Sequence, residues 1–231
     1  MTCAEILKLL ESRHNPRNLA GMARYGIETE HAHGVPIPVL RRIARQIGKD
    51  HRLAVELWRS EVHEARILAG MVEDPALVTE AQMDRWARAF NSWDLCDQVC
   101  SNLFDRTVWA HRKAVEWTRR EEPFVKRAGF VLMAALSVHD KQASDHAFIR
   151  FLPVLKREAT DDRNYVKKAV NWALRQIGKR NAALNKLAVD TAREIQRIDS
   201  SAARWIASDA LRELTNPKAL KRLKAGGCAA G

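Results

Sequence analysis

The sequence predicts an all-helical fold, and three observations lead to this prediction. Apolar residues recur at intervals of three and four along most of the 231 residues, as they do on one face of an α-helix. The chain has only 10 glycines and 7 prolines, whereas a fold of many short strands needs turn residues every few positions. The alternating stretch GVPIPV contains two prolines, which makes it a poor strand.

The first clear helix is predicted in the segment VLRRIARQI, where Leu40, Ile43 and Ile47 recur at helical spacing. Pro38 precedes it, where a helix start tolerates proline, and Gly48 follows it, as is common at a helix end. The periodicity continues to the end of the chain and predicts roughly a dozen helices with short polar connections. The later segments are, in order, LAVELW, HEARILAGMV, EAQMDRWARAF, WDLCDQVCSNLF, VWAHRKAVEWTR, PFVKRAGFVLMAAL, DHAFIRFLPVLKR, NYVKKAVNWALRQI, LNKLAVDTAREIQRI and SAARWIASDALREL.

Three of these segments form a weak internal repeat. KRAGFVLMAAL, KKAVNWALRQI and SAARWIASDAL each have a basic or polar entry, then alanine, then an apolar stripe. Ala128, Ala169 and Ala203 are 41 and 34 residues apart, which suits the helix-pair repeats of HEAT and armadillo proteins, although any helical bundle yields such coincidences. We expect a single HEAT/armadillo-like solenoid with a basic concave face over residues 1–224, and a disordered tail at 225–231.

The charge of the chain indicates a polyanionic partner. The formal net charge is +11 and the pI is about 9.9, and nucleic acid is the commonest partner of so basic a surface. A protein that is basic without binding a polyanion is the alternative. An anionic membrane surface is a weaker candidate, and no apolar run approaches the roughly 18 residues of a spanning helix. The amphipathic N-terminus does not resemble a signal peptide, so we expect the protein in the cytoplasm, associated with the nucleoid, or in the nucleus of a eukaryote. We expect it to be a monomer.

The cysteines do not indicate a metal site, and the sequence lacks the common motifs for cofactor binding and catalysis. Cys3, Cys96, Cys100 and Cys228 are too few for a disulfide framework in a chain of this size. Cys96 and Cys100 would share a helix face as half of a metal site, but no second Cys/His pair accompanies them, which favours two small buried residues. The chain has no Walker loop, nucleophile elbow, HExxH motif or dinucleotide fingerprint.

The segment NSWDLCDQVC is the first candidate for chemistry. Trp93 and Asp97 are four residues apart and would lie on one helix face, with Asp94 pointing elsewhere and Ser92 in position to cap the helix. An aromatic face beside a carboxylate suits a cationic or oxocarbenium-like transition state. Spacing alone favours the other interpretation, a core tryptophan and a helix-terminal aspartate.

Two further segments place basic residues beside buried ones. In NYVKKAVNWALRQIGKR, Lys168, Trp172, Arg175 and Lys179 fall on neighbouring stripes, and the cations would reach phosphates while the indole packs on a sugar. A solvated basic face around a core indole fits the spacing equally well. In PFVKRAGF, Arg127 enters an apolar helix either as a phosphate clamp or as a side chain that reaches out to water.

With these segments the sequence resembles the AlkD-type DNA alkylation repair glycosylases, which are built of HEAT-like repeats. The resemblance extends from about residue 20 to 215. It depends on five motifs in a fixed order, which together are specific although each alone is not. These are HGVPIPVLRRIAR, HEARILAGM, NSWDLCD, FVKRAGFVLM and YVKKAVNWALRQIGKRN. The family's motif has a second aromatic residue before the tryptophan, where this chain has Ser92.

The resemblance implies excision of N3- and N7-alkylated purines from DNA by hydrolysis of the N-glycosidic bond, without a metal or cofactor and without flipping the base into a pocket. It places the catalytic carboxylate at Asp97 and its aromatic partner at Trp93. It also places a backbone-contacting arginine at Arg127, a second tryptophan at Trp172 and a cleft tyrosine at Tyr25 in MARYG. The other residues expected to bind double-stranded DNA, alkylated or distorted, are Lys126, Lys167, Lys168, Arg175 and Lys179.

This implied chemistry is physically reasonable, because an alkylated purine already carries positive charge and leaves without a general acid. The protein has only to stabilise the deoxyribose cation and to position water, which a carboxylate between aromatic faces does electrostatically. Two other functions remain open at this point. The chain would then be either a non-catalytic scaffold that binds damaged or branched DNA in the same groove, or a helical-repeat adaptor that grips an acidic peptide.

Overall fold

The computed structural model describes residues 1–218, 220, 221 and 223, and it confirms the predicted all-helical fold. These residues form α-helices and two 3₁₀ turns, Phe104–Arg106 and Trp117–Arg119, and contain no β-strand. The predicted tail at 225–231, with Cys228, lies outside the described residues. The helices are α1 (Cys3–Glu11), α2 (Pro16–Arg24), α3 (Ile37–Ile47), α4 (His51–Arg59), α5 (His63–Val72), α6 (Glu80–Arg88), α7 (Trp93–Asn102), α8 (Ala110–Glu116), α9 (Pro123–His139), α10 (Asp145–Ile149), α11 (Leu152–Arg157), α12 (Asn164–Gly178), α13 (Ala182–Gln196) and α14 (Ser201–Leu214).

Prolines and glycines in the sequence explain where several of the helices begin and end. Helix α3 begins two residues earlier than predicted and takes Pro38 into its first turn, where no intrahelical N–H is needed. It ends at Gly48, whose φ of 78° is a conformation that residues with a Cβ rarely adopt. The segment DHAFIRFLPVLKR forms two short helices, α10 and α11, instead of one, with Pro153 in the first turn of α11.

The chain divides into two compact units, Met1–Val108 and the residues from Trp109 onward. The first unit contains α1 to α7 and the second contains α8 to α14. The single domain predicted over residues 1–224 stays a prediction. None of the helices in the described part of the chain has the length and apolar character required to cross a membrane.

The first unit packs around α5, which lies against α3, α4 and α7 and is buried along most of its length. Gly70 lets α7 approach closely, because a Cβ there would come within 3.2 Å of a Val99 methyl. Within this core, the Trp58 and Trp86 rings stack in parallel with their centroids 4.0 Å apart. Helix α7, which carries Trp93 and Asp97, is thus packed closely against α5 at Gly70.

The second unit packs around α9, with α8 on one side and α12 on another. Gly129 allows the α8 segment to touch α9 directly, since a Cβ there would lie 2.9 Å from the Ala114 carbonyl oxygen and from the Thr118 nitrogen. The repeat alanines of the sequence, Ala128, Ala169 and Ala203, are all fully buried and lie on α9, α12 and α14. Small residues at one recurring position thus allow successive helices to pack closely.

Helices α9, α12 and α14 run parallel to one another. Arg127, near the start of α9, donates to the backbone carbonyl of Tyr165 at the start of α12. Arg180, just beyond the end of α12, donates to the backbone carbonyl of Ser137 near the end of α9. Lys167 lies beside Trp205 in the first half of α12 and α14, and Arg175 pairs with Glu213 in the second half. The N-terminal ends of the three helices therefore point in one direction within the unit.

Candidate functional site

The start of α7 brings together two of the aromatic residues expected in the site. The Trp93 indole N–H donates to the backbone carbonyl of Tyr25 at 3.0 Å, although 68 residues separate the two in sequence. Tyr25 is 72% exposed and Trp93 is half-buried. Asp97 lies one turn further along α7 and is also half-buried. Tyr25, Trp93 and Asp97 are thus placed in the same part of the first unit, with an aromatic ring open to solvent.

Ser92 takes the N-cap position of α7, as its place before Trp93 suggested, but its side chain makes no capping hydrogen bond. It is fully buried. The first turn of α7 must therefore be held by other groups.

Asp94 provides one such group, through an ion pair that the sequence analysis missed. Its carboxylate lies 2.8 Å from Nε2 of His63, the first residue of α5, and the two side chains are only 17% and 5% exposed. Burial disfavours the charged imidazole, but the hydrogen bond and charge of Asp94 outweigh this and raise the pKa of His63. The pKa of Asp94 is lowered, because His63 outweighs the opposing effect of burial. The 31-residue separation leaves no periodic signal for such a pair.

A fully buried carboxylate ties α5 to the segment before α3. Glu64 accepts hydrogen bonds from three consecutive backbone N–H groups, those of His33, Gly34 and Val35, at 2.6 to 3.1 Å. Gly34 has a φ of 73°, and a Cβ there would lie 2.6 Å from the Asn15 carbonyl oxygen. The motifs HGVPIPV and HEARILAG are thus joined by Glu64, and HEARILAG and SWDLCD by His63.

A cavity of about 390 Å³ lies beside these contacts in the first unit. Its lining includes His63, Asp94 and Ile37, together with Arg17 and Met22 of α2. None of the α2 side chains is buried, so this helix is held less firmly than α5 or α7. Tyr25 is the C-cap residue of α2, and its hydrogen bond to Trp93 connects that helix to α7.

We expect the pair of His63 and Asp94 to make stability depend on pH. Because the folded-state pKa of His63 is raised, its contribution is complete below its ordinary pKa of 6.5 and is lost as pH rises through the folded value. Asp94 contributes above its ordinary pKa of 3.8 and loses this as pH falls. The free energy of unfolding of the parent should therefore exceed that of Asp94→Asn most between these values, as urea titrations from pH 4 to 8 would measure.

The matched control for this experiment is Asp190→Asn on α13, because its partner Arg193 stays charged over the whole pH range. Its difference from the parent should be flat with pH. A flat difference for Asp94→Asn as well would show that His63 does not titrate against Asp94.

The basic residues predicted on α12 lie in the second unit and differ in what they contact. Lys168 is exposed, Trp172 is half-buried, and the Lys167 ammonium lies 5.3 Å from the centre of the Trp205 ring on α14. Arg175 and Lys179 both pair with Glu213, at 2.6 and 2.8 Å. The predicted basic stripe is therefore partly neutralised toward the end of α12.

The start of α9 carries the remaining predicted residues. Arg127 is buried, at 6% exposure, and one of its guanidinium N–H groups donates to the Tyr165 carbonyl. Lys126 lies between Glu158 and Asp161, at 2.6 and 2.9 Å. Burial by itself would raise the pKa of Asp161. The hydrogen bonds and charges of Arg163 and Lys126 outweigh burial and lower this pKa to about 2. Of the predicted DNA-binding cations, Lys126, Arg175 and Lys179 thus have acidic partners within the protein.

Cys96 and Cys100 are fully buried on α7, as favoured for two small core residues. Burial, together with the neighbouring Cys96, raises the pKa of the Cys100 thiol well above its ordinary value. Cys3 is half-buried on α1.

Comparisons with known proteins give a family and a fold. A solved structure of a protein from a family related to the HEAT-like repeat DNA glycosylases, with affinity for branched DNA structures, superimposes with a TM-score of 0.75. The match has 22% sequence identity over 92% of this chain and 95% of that chain, and it confirms the HEAT-like helical repeat fold. Curated protein sequences contain no significant match. The family model for the DNA alkylation repair enzymes matches residues 6–222, so the chain belongs to the DNA alkylation repair enzyme family.

Proposed function

We propose that this protein is a DNA glycosylase that hydrolyses the N-glycosidic bond of cationic N3- and N7-alkylated purines in duplex DNA. The observation that carries this proposal is the start of α7. There Trp93 is held against the exposed Tyr25, and Asp97 follows one turn later, in a chain of the DNA alkylation repair family. An aromatic side chain and a carboxylate one turn apart, on a helix whose other side is packed into the core, support the proposal.

The proposed reaction needs no acid to release the base. The bond between C1′ of the deoxyribose and the purine nitrogen breaks, and both electrons stay with the purine, which leaves as a neutral molecule. The Asp97 carboxylate stabilises the positive charge that develops on the sugar and orients a water molecule toward C1′. The water oxygen bonds to C1′ and its proton passes to the carboxylate or to solvent.

The remaining predicted residues would hold the DNA. Trp93 and Trp172 pack on the deoxyribose and backbone at the lesion. Arg127 contacts the adjacent phosphate from a position fixed by its hydrogen bond to Tyr165. Lys168 and the other cations of α12 bind phosphates further along the duplex, so affinity should fall steeply with salt and depend little on sequence. We propose that a monomer acts in this way on chromosomal DNA, in the cytoplasm or, in a eukaryote, in the nucleus.

A base-release assay tests this function directly. The full chain is incubated with duplex DNA containing N7-methylguanine and N3-methyladenine, and free bases are separated and quantified. Release above the spontaneous rate is the expected result. Release at the spontaneous rate, with the DNA fully bound, would contradict the proposal.

The contacts of Glu213 lead to a prediction about DNA affinity. Glu213→Gln removes the carboxylate charge that both Arg175 and Lys179 contact and leaves Arg175 only Asp209, at 3.4 Å, so we expect it to tighten duplex binding several-fold, with a steeper salt dependence. Fluorescence anisotropy at several salt concentrations measures both quantities. Glu194→Gln on α13 is the matched control, because it makes the same charge change and frees only Lys156. Equal effects of the two variants would show that Arg175 and Lys179 do not reach DNA.

A second candidate function is binding of damaged or branched DNA without excision. The solved relative with affinity for branched DNA favours it, and so does Ser92, which stands where the AlkD-type motif has a second aromatic residue. The same release assay separates the two functions. A scaffold would bind the DNA tightly and release no base.

A further inference from the structure

An exposed tryptophan on α14 lies beside the basic residues of α12 and has no place in the proposed reaction. The buried side of α14 consists of small and aliphatic residues, Ala202, Ala203, Ile206, Ala207, Ala210 and Leu214. Trp205 lies outside this set and is 42% exposed. Its indole therefore leaves a large aromatic surface open to solvent.

The contacts between α12 and α14 show that Trp205 lies on the same surface as the basic residues of α12. Lys167 lies against Trp205, and eight residues later on both helices Arg175 pairs with Glu213. Between these two contacts the Asn171 side chain donates to the Ile206 carbonyl. The two helices therefore run side by side in parallel, and Trp205 lies along the same edge of α12 as Lys167 and Arg175.

Charge is distributed unevenly along this surface. At its C-terminal end Arg175 and Lys179 both pair with Glu213, and Asp209 lies 3.4 Å from Arg175. At its N-terminal end Lys168 is exposed, and Lys167 lies 5.3 Å from the Trp205 ring centre. The partial positive charges of the helix N-termini add to these cations. The N-terminal end is thus aromatic and cationic, a combination that attracts a base together with its phosphate.

We propose that Trp205 and Lys167 form a stacking site for an unpaired nucleobase at a branch or distortion in DNA. The indole stacks on the face of the base, and the ammonium pairs with the adjoining phosphate. Within a continuous duplex each base is already stacked on both faces, so the site discriminates in favour of DNA whose bases are unpaired. This inference depends on the proposed binding of DNA but not on excision.

The test compares forked DNA, which has unpaired arms, with a blunt duplex of the same paired length. Affinities are measured by fluorescence anisotropy for the full chain and for Trp205→Ala, Trp205→Phe and Lys167→Ala. The apolar control is Leu187→Ala on α13, a side chain with 37% exposure in the same unit. Circular dichroism melting checks that each variant is folded.

We expect Trp205→Ala to weaken binding to the fork roughly ten-fold, within the range of one lost base stack, and to weaken duplex binding much less. Trp205→Phe should keep most of the preference, since its ring still stacks. Lys167→Ala should reduce the preference in part, and Leu187→Ala should leave it at the parent value. With 2-aminopurine at the unpaired position next to the fork, fluorescence should be quenched by the parent and not by Trp205→Ala.

Three results would overturn the proposal. These are an unchanged fork preference in Trp205→Ala, an equal loss on fork and duplex, and a parent protein that binds neither DNA. The base-release assay on blunt alkylated duplex is independent of these measurements. A parent that prefers forks through Trp205 and releases no base would refute the glycosylase function alone. A parent that releases bases and keeps its fork preference without Trp205 would refute the stacking site alone.

Discussion

Asp97→Asn is expected to slow base release strongly while leaving DNA binding intact. The amide has the shape of the carboxylate but lacks the charge that stabilises the deoxyribose cation. Removing a single preorganised electrostatic group of this kind typically lowers the rate about 10²- to 10³-fold. Single-turnover release from N7-methylguanine DNA measures the rate of excision, and anisotropy with the same DNA measures affinity. Binding should be unchanged or slightly tighter, since one negative charge is removed.

The matched control is Asp190→Asn on α13, which removes the same charge from a side chain that is half exposed. It should release bases at the parent rate. If Asp97→Asn also excises at the parent rate, then Asp97 is not the catalytic carboxylate. If it loses release and binding together, then Asp97 holds the DNA or the fold and does not stabilise the reacting sugar.

Glu64→Ala is expected to destabilise the first unit by about 3–5 kcal/mol. The substitution leaves the N–H groups of His33, Gly34 and Val35 without their acceptor in a buried place, and each such loss costs about 1–3 kcal/mol. Relaxation and entry of water recover part of this. A typical domain is stable by only about 5–15 kcal/mol, so the loss is large enough to threaten folding. Urea unfolding followed by circular dichroism measures the change.

Glu64→Gln distinguishes the charge from the shape of the side chain. It should lie between Glu64→Ala and the parent, because the amide oxygen still accepts while the amide N–H₂ faces donors. Glu56→Ala on α4 is the control, since it breaks only an exposed pair with Arg52 and should change stability by less than about 1 kcal/mol. If Glu64→Ala is as stable as Glu56→Ala, the segment before α3 is held by other contacts.

The sequence determined the secondary structure and the local arrangement of the candidate residues. Helical spacing is a local property with a period of 3.6 residues, so the burial of Leu40 and Ile43 and the common face of Trp93 and Asp97 follow from their positions in the chain. The equivalence of Ala128, Ala169 and Ala203 was also visible, because small residues recur wherever successive helices pack closely. Where short helices meet, as between α10 and α11, the period alone did not show the break.

Only the tertiary structure decided which distant groups meet. His63 and Asp94 are 31 residues apart, and Glu64 meets the backbone of Gly34 across 30. Arg175 and Lys179 look free in the sequence, but both pair with Glu213 on another helix. Trp205 looks like one more apolar position, yet it is exposed beside Lys167. Such contacts depend on the rotation and axial offset of one helix against another, which many side chains determine together and no local period encodes.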